Sequence, residues 1–291
     1  MKPASFDYVA PDSLQAALAL KTEHGDEAKF LAGGQSLIPA MNFRLAQVSL
    51  LVDVNDLKEL DYVQRADDGK LRLGALTRQR RLERDPLVKQ YAPLLHEAMP
   101  FIAHPQIRNR GTLGGSLAHA DPAAELPVIA VALEARLKAA SARGERWITA
   151  ADFFKGFFTT DLASDEMLVE VALPPLPFRT GTSFIEFSRR RGDYAMLGVA
   201  AVVSLDENGA CENVRLVYLN AGDGPVDAKQ AAGLLKGQKP SAEVFAAAAS
   251  LAAEQEINPM GSVHASPDYQ RHLARVLTGR ALKQAFDRAS Q

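Results

Sequence analysis

The chain has 291 residues, 47% of them hydrophobic and 23% charged, with a formal net charge of −2. That length suits two domains, or one large domain with a satellite, and the balanced charge gives no electrostatic ground for a nucleic-acid or anionic-membrane partner. A single cysteine, Cys211, excludes an internal disulfide and any iron–sulfur cluster held by this chain alone.

The six histidines show no metal-ligand spacing, so no metal site is expected. No apolar run approaches the ~20 residues of a membrane span, and the N-terminus lacks a signal-peptide core. The expected location is therefore cytoplasmic.

In chain order, Ser13 with Leu14, Ala17 and Leu18 predicts an N-capped helix closing near Gly25. Residues 28–31 read as a short strand running into Ala32-Gly33-Gly34-Gln35-Ser36, and residues 50–54 as a second, buried strand. A turn at 67–70 predicts a hairpin between Tyr62-Val63 and Leu71-Arg72-Leu73. Thr77 is expected to cap a charged helix, and Pro86 to open another that ends before Pro100.

Residues 102–111 read as a polar loop leading to Thr112-Leu113-Gly114-Gly115-Ser116. Asp121-Pro122 has the form of a helix start that runs through Glu125 to Leu133, and residues 167–173 read as a strand stopped by Pro174-Pro175.

Three prolines within 174–177 mark a domain boundary. Beyond it, residues 198–205 and 214–219 alternate like strands joined by a turn at 206–209. Residues 241–256 form an alanine-rich helix. Ser266-Pro267 caps a last helix with Tyr269, Leu273, Val276 and Leu277 on its apolar face.

The two glycine motifs carry the functional signal. Glycine lets a backbone approach a ligand closely, and successive amides in such a turn can converge on an anion. Two motifs from distant parts of the chain, each following an extended segment, suggest a site for two linked phosphates. Neither fits GxxxxGK[ST] or GxGxxG, so a P-loop or Rossmann site is not supported. His104, His119, Arg108 and Arg110 flank the second motif. The histidines are expected to be loop or cap residues and the arginines solvated, as are the basic runs 78–81 and 189–191.

The segments AGGQSLIPAMNFRLA (32–46), QIRNRGTLGGSLAHADPAAELP (106–127) and GDYAMLGVA near residue 195 resemble the FAD-binding medium subunit of the molybdenum hydroxylases. That family includes xanthine dehydrogenase and aerobic carbon monoxide dehydrogenase. The resemblance implies an α+β chain: two N-terminal α/β subdomains of an FAD-binding, PCMH-type fold, at about 1–57 and 58–175, then a smaller α+β domain at 178–291. It implies that Ala32, Gly33, Gly34, Gln35, Ser36 and Leu37 embrace the FAD diphosphate together with Thr112, Leu113, Gly114, Gly115 and Ser116.

It also places Glu125 where relatives carry an aspartate near the adenosine ribose, Ile102 and Leu168 in apolar contact with the cofactor, and Tyr194 near the isoalloxazine. As alternatives, Ile102 and Leu168 are plain core residues, Tyr194 an interface residue, and Glu125 a first-turn anion favoured by the helix dipole.

By the same resemblance, the [2Fe–2S] clusters sit on a small partner subunit and the molybdenum cofactor on a large one, in a heterotrimer that is doubled. Electrons then pass through FAD to an external acceptor. No nucleophile–base pair is visible, so no catalytic residue is expected on this chain. A self-sufficient flavoenzyme and a flavin-free scaffold subunit are the other readings.

Overall fold

The computed structural model describes residues 2–291. Three sheets of different character follow one another along the chain. The first is small and wholly parallel. It is built from β1 (Asp7–Val9), helix α1 (Leu14–His24), β2 (Ala28–Leu31), α2 (Leu37–Asn42) and β3 (Leu50–Asp53), in the order β1-β3-β2. Ser13 caps α1 by accepting from the Ala16 amide. The central strand β3 is covered on both faces, with Val52 in one apolar cluster and Leu51 in another. The buried Lys21 closes the turn after α1 by donating to the carbonyls of Gly25 and Ala28, at 2.5 and 2.8 Å.

The second sheet is antiparallel. Its hairpin β4 (Val63–Arg65) and β5 (Leu71–Gly74) leads into α3 (Gln79–Leu82), α4 (Pro86–Tyr91), α5 (Pro93–Ala98), α6 (Pro105–Arg110), α7 (Leu113–His119) and α8 (Glu125–Ala132). Then come β6 (Arg136–Ser141), β7 (Gly144–Thr149), α9 (Ala150–Phe153), the small hairpin β8 (Phe154–Gly156) and β9 (Thr159–Thr160), and β10 (Met167–Leu173). Strand β10 is buried along its whole length because it lies in the middle of the order β4-β5-β10-β6-β7.

Several expectations are corrected here. Thr77 caps no helix: its hydroxyl donates to the Tyr62 carbonyl, and the residue before α3 is Arg78. The single helix expected from Pro86 breaks at Ala92 and restarts at Pro93, because proline cannot continue the hydrogen-bond ladder. The expected loop 102–111 contains α6, opened by Pro105. Asp121 does not start α8. It closes a turn by accepting from the Ala123 amide, and the helix begins at Glu125.

The third sheet runs β11 (Thr180–Ser188), β12 (Ala195–Leu205), β13 (Cys211–Leu219) and β14 (Val226–Asp227), antiparallel throughout. Helices α10 (Lys229–Leu235), α11 (Ala242–Leu251) and α12 (Pro267–Ala289) follow. Side-chain alternation gives the sheet two apolar faces. Leu197, Val199, Ala201 and Val203 meet the helices, whereas Phe184, Ala200, Val217 and Leu219 join the core of the second sheet. Leu273 and Leu277 of α12 are buried as expected, while Tyr269 is exposed. No helix among the described residues is long and apolar enough to cross a membrane.

Candidate functional site

Strand β2 ends at Leu31, and the chain turns through Ala32-Gly33-Gly34-Gln35-Ser36 into α2. Gly34 adopts φ +70°, which an L side chain resists. Gln35 steadies the turn by donating from Nε2 to the Gly33 carbonyl at 2.8 Å. Among the described residues, the amides of Gly33, Gly34, Gln35, Ser36 and Leu37 have no protein acceptor. Ala32 to Gln35, with Ile38, Pro39, Asp53, Asn55 and Arg110, line a cleft of about 330 Å³. Unpaired amides beside an arginine make this an anion-binding surface.

Asn55 organises the cleft from behind. Its Nδ2 donates to the Ala32 carbonyl at 2.8 Å and to Asp53 Oδ1 at 2.6 Å, and its Oδ1 accepts from Arg78 at 2.6 Å. Arg78 also donates to the Arg110 carbonyl, so the first sheet and the end of α6 are tied together. Asp53 accepts from the Tyr8 hydroxyl at 2.6 Å. Burial alone would raise the Asp53 carboxyl, but the hydrogen bonds from Tyr8 and Asn55, with Arg110 nearby, hold it below the usual carboxylate range.

The second motif is not the expected loop after an extended segment. It follows α6, and Thr112 is the N-cap of α7, its Oγ1 accepting from the Gly115 amide at 3.1 Å. Leu113 donates to the Thr77 carbonyl, Gly114 to Ala75 at 2.7 Å, and Ser116 to Thr112. The amides from Leu113 to Ser116 are therefore used within the protein. Gly114 is glycine because a Cβ there would stand 2.6 Å from the Ala75 Cβ.

The two motifs do adjoin. A Cβ on Gly115 would lie 3.8 Å from that of Ala32, and one on Gly33 only 2.5 Å from the Arg110 carbonyl. The hydroxyl of Ser116 has no partner among the described residues.

The other candidates lie on other elements and are not among the residues that line the cleft. Ile102 and Leu168, 8% and 4% exposed, sit in one apolar core. Glu125, 7% exposed, opens α8, and burial pushes its carboxyl up to about 7. Tyr194 stands just before β12 and is 69% exposed, with its hydroxyl end turned toward Asp121. Desolvation there, then Asp121, pushes the phenol up to about 12.

Arg108 is not solvated: at 5% exposure it forms a forked pair with Glu83 and donates to the Ile102 carbonyl at 2.7 Å. His104 precedes α6 and packs over Gly192, and His119 ends α7 beside the Phe158 ring. Sequence reasoning passed over Asn55 and took as solvated both Arg78, which completes the bridge with Asn55, and Arg110, which lines the cleft. Local patterning offers no signal for which arginine in a basic run faces inward.

The description "FAD binding domain in molybdopterin dehydrogenase" matches residues 4–176, and "CO dehydrogenase flavoprotein C-terminal domain" matches residues 182–285. The chain is 45% identical over 289 residues to the 6-hydroxypseudooxynicotine dehydrogenase complex subunit alpha of Paenarthrobacter nicotinovorans, covering 99% of this chain and 97% of the relative. Among solved structures it is similar to quinoline 2-oxidoreductase from Pseudomonas putida 86, with a TM-score of 0.95 and 37% identity over 100% of both chains. It is equally similar to the carbon monoxide dehydrogenase of Hydrogenophaga pseudoflava, solved without the Mo-pyranopterin moiety of its cofactor: TM-score 0.95, 35% identity, 99% of each chain.

Proposed function

The chain belongs to the FAD-binding subunits of the molybdopterin dehydrogenases, and from that premise we propose that it carries electrons between partner subunits and an external acceptor. The observation that carries this reading is a run of unpaired amides, Gly33 to Leu37, of which Gly33, Gly34 and Gln35 line a cleft that also holds Arg110. These groups suit a diphosphate: the amides donate to its oxygens, and the guanidinium offsets its charge. Ala32, Gly33, Gly34, Gln35, Ser36 and Leu37 would hold FAD there. The second motif would help through Ser116 and through its placement, with the amides of Leu113, Gly114 and Gly115 turned to internal bonds.

Bound FAD would supply the redox chemistry, standing between [2Fe–2S] centres on a small partner subunit and the acceptor. This chain supplies position and electrostatics. Asn55 and Arg78 fix the two halves of the cleft. By the family resemblance, Ile102 and Leu168 would contact the cofactor through apolar packing, Glu125 would sit near the adenosine ribose and Tyr194 near the isoalloxazine. Substrate would be oxidised elsewhere, at a molybdenum cofactor on a large partner subunit.

We read the chain as two units, 1–175 (with parts 1–57 and 58–175) and 178–291, in a cytoplasmic heterotrimer that is doubled. The gap between the two family matches supports that division.

Turnover provides the test. The FAD-loaded chain alone should oxidise no organic substrate, and activity should appear only with both partner subunits. Turnover by the isolated chain would favour a self-sufficient flavoenzyme instead, and a colourless active complex would favour a scaffold.

A further inference from the structure

The cleft beside the glycine turn holds an acid that a diphosphate does not explain. Asp53 lines it together with Gly33, Gly34, Gln35 and Arg110. A carboxylate repels phosphate oxygens, so in an anion cleft it is out of place unless a ligand brings it a donor.

The fold puts Asp53 there. Strand β3 is the centre of the parallel sheet, and Asp53 is its last residue, level with Leu31 at the end of β2. The glycine turn leaves the C-terminal end of one strand, and Asp53 stands at the same end of the next, about twenty residues further along the chain. Parallel sheets take ligands in the crevice outside these ends, and an acid so placed after a glycine turn suits a ribose hydroxyl. The chain reaches that arrangement without the GxGxxG pattern.

Hydrogen bonds hold the carboxylate ready. Oδ1 accepts from the Asn55 amide at 2.9 Å and from Asn55 Nδ2 at 2.6 Å, and Oδ2 accepts from the Tyr8 hydroxyl at 2.6 Å. An ionised carboxylate has about four acceptor positions, so one remains, on Oδ2. Burial works against the charge, but these bonds, with Arg110 nearby, keep the carboxyl below its usual range and so ionised at neutral pH. Glu125, which the resemblance puts near the same sugar, is buried at the start of α8 and does not line the cleft.

We propose that Asp53 accepts a hydroxyl of the adenosine ribose, so that the cleft selects a nucleotide whose sugar hydroxyls are free. The role deepens the FAD site proposed above and rests on it. The amides and Arg110 take the diphosphate, and Asp53 takes the sugar beside it. Tyr8 and Asn55 are positioning residues that act through Asp53.

The flavin-free full chain is titrated by calorimetry with ADP, 2′-deoxy-ADP and 3′-deoxy-ADP, and FAD binding is followed in parallel by flavin fluorescence. The wild-type chain should bind at least one deoxy compound about tenfold or more weakly than ADP, the loss of one hydrogen bond to a charged acceptor. In Asp53→Asn the amide oxygen stays with the donors of Asn55, and the free acceptor on the Oδ2 side becomes an NH₂ donor. That variant should bind the nucleotides equally, and Asp53→Ala should do the same. Glu125→Gln should keep the wild-type preference. Comparing nucleotides within one variant cancels any loosening of the fold, which weakens them alike.

Equal binding of the nucleotides by a wild-type chain that does bind FAD overturns the role of Asp53 and leaves the proposed function standing. A preference that survives both Asp53 variants, or that vanishes in Glu125→Gln, overturns it as well. A wild-type chain that binds neither FAD nor ADP overturns the proposed function itself.

Discussion

Gly33 and Gly34 are adjacent yet glycine for different reasons. A Cβ on Gly33 would meet the Arg110 carbonyl, which is backbone and cannot swing away, whereas Gly34 is set by its φ of +70°. Gly33→Ala should therefore destabilise the flavin-free protein by about 1–3 kcal/mol through overpacking, and Gly34→Ala by about 1–2 kcal/mol through backbone conformation, both read from urea midpoints. Arg110 acts on binding instead. Arg110→Gln should leave stability nearly unchanged and weaken FAD about ten- to a hundredfold, the loss of one charge-assisted hydrogen bond.

The glycines were legible as a pair of motifs, but their separate tasks were not. A sequence shows that a backbone must come close to something, and not whether that something is a ligand or another strand. At Gly114 it is Ala75.

Among the elements, the segment from α6 to α8 fixes most of the site. Thr112 caps α7 from a buried position, so Thr112→Ala should cost about 1–2 kcal/mol in thermal or urea unfolding. Asn55 is the stitch between the first sheet and α6. Asn55→Leu should loosen FAD binding about tenfold or more, because the Ala32 carbonyl and Arg78 both lose a hydrogen bond. Strands β2, β3, β5, β10, β12 and β13 could be read in advance from apolar runs bounded by turns. Helix α6 could not, since Ile107 and the buried Arg108 give no apolar stripe over so few residues. Strand β11 was missed because its residues mix polar and apolar types on both faces: Ser183 reaches Gln284 of α12 while Phe184 enters the opposite core.

Across the whole molecule, the third sheet is shared between two cores, which couples the C-terminal helices to the residues around α8. Arg288 near the end of α12 reaches Glu97 of α5 and the Thr182 carbonyl, pinning that helix back to the second sheet's layer. The pair is partly exposed, so Arg288→Ala should lower stability by only about 1 kcal/mol, with FAD affinity unchanged. A small α/β unit, a hairpin after it and a strand-then-helix unit past the prolines were visible in the order of the elements; which strands pair, and in which direction, was not. Nor was the contact of Arg288 with Glu97, because it joins residues far apart in the chain that only the fold brings together.

The central claim is that the cleft at Gly33 to Leu37 holds FAD, and the most direct test is cofactor stoichiometry on the purified chain incubated with FAD and freed of excess. About one FAD per chain, reduced sharply in Arg110→Gln, is the expected result. A chain that retains no flavin, even when assembled with its partner subunits, would contradict the account.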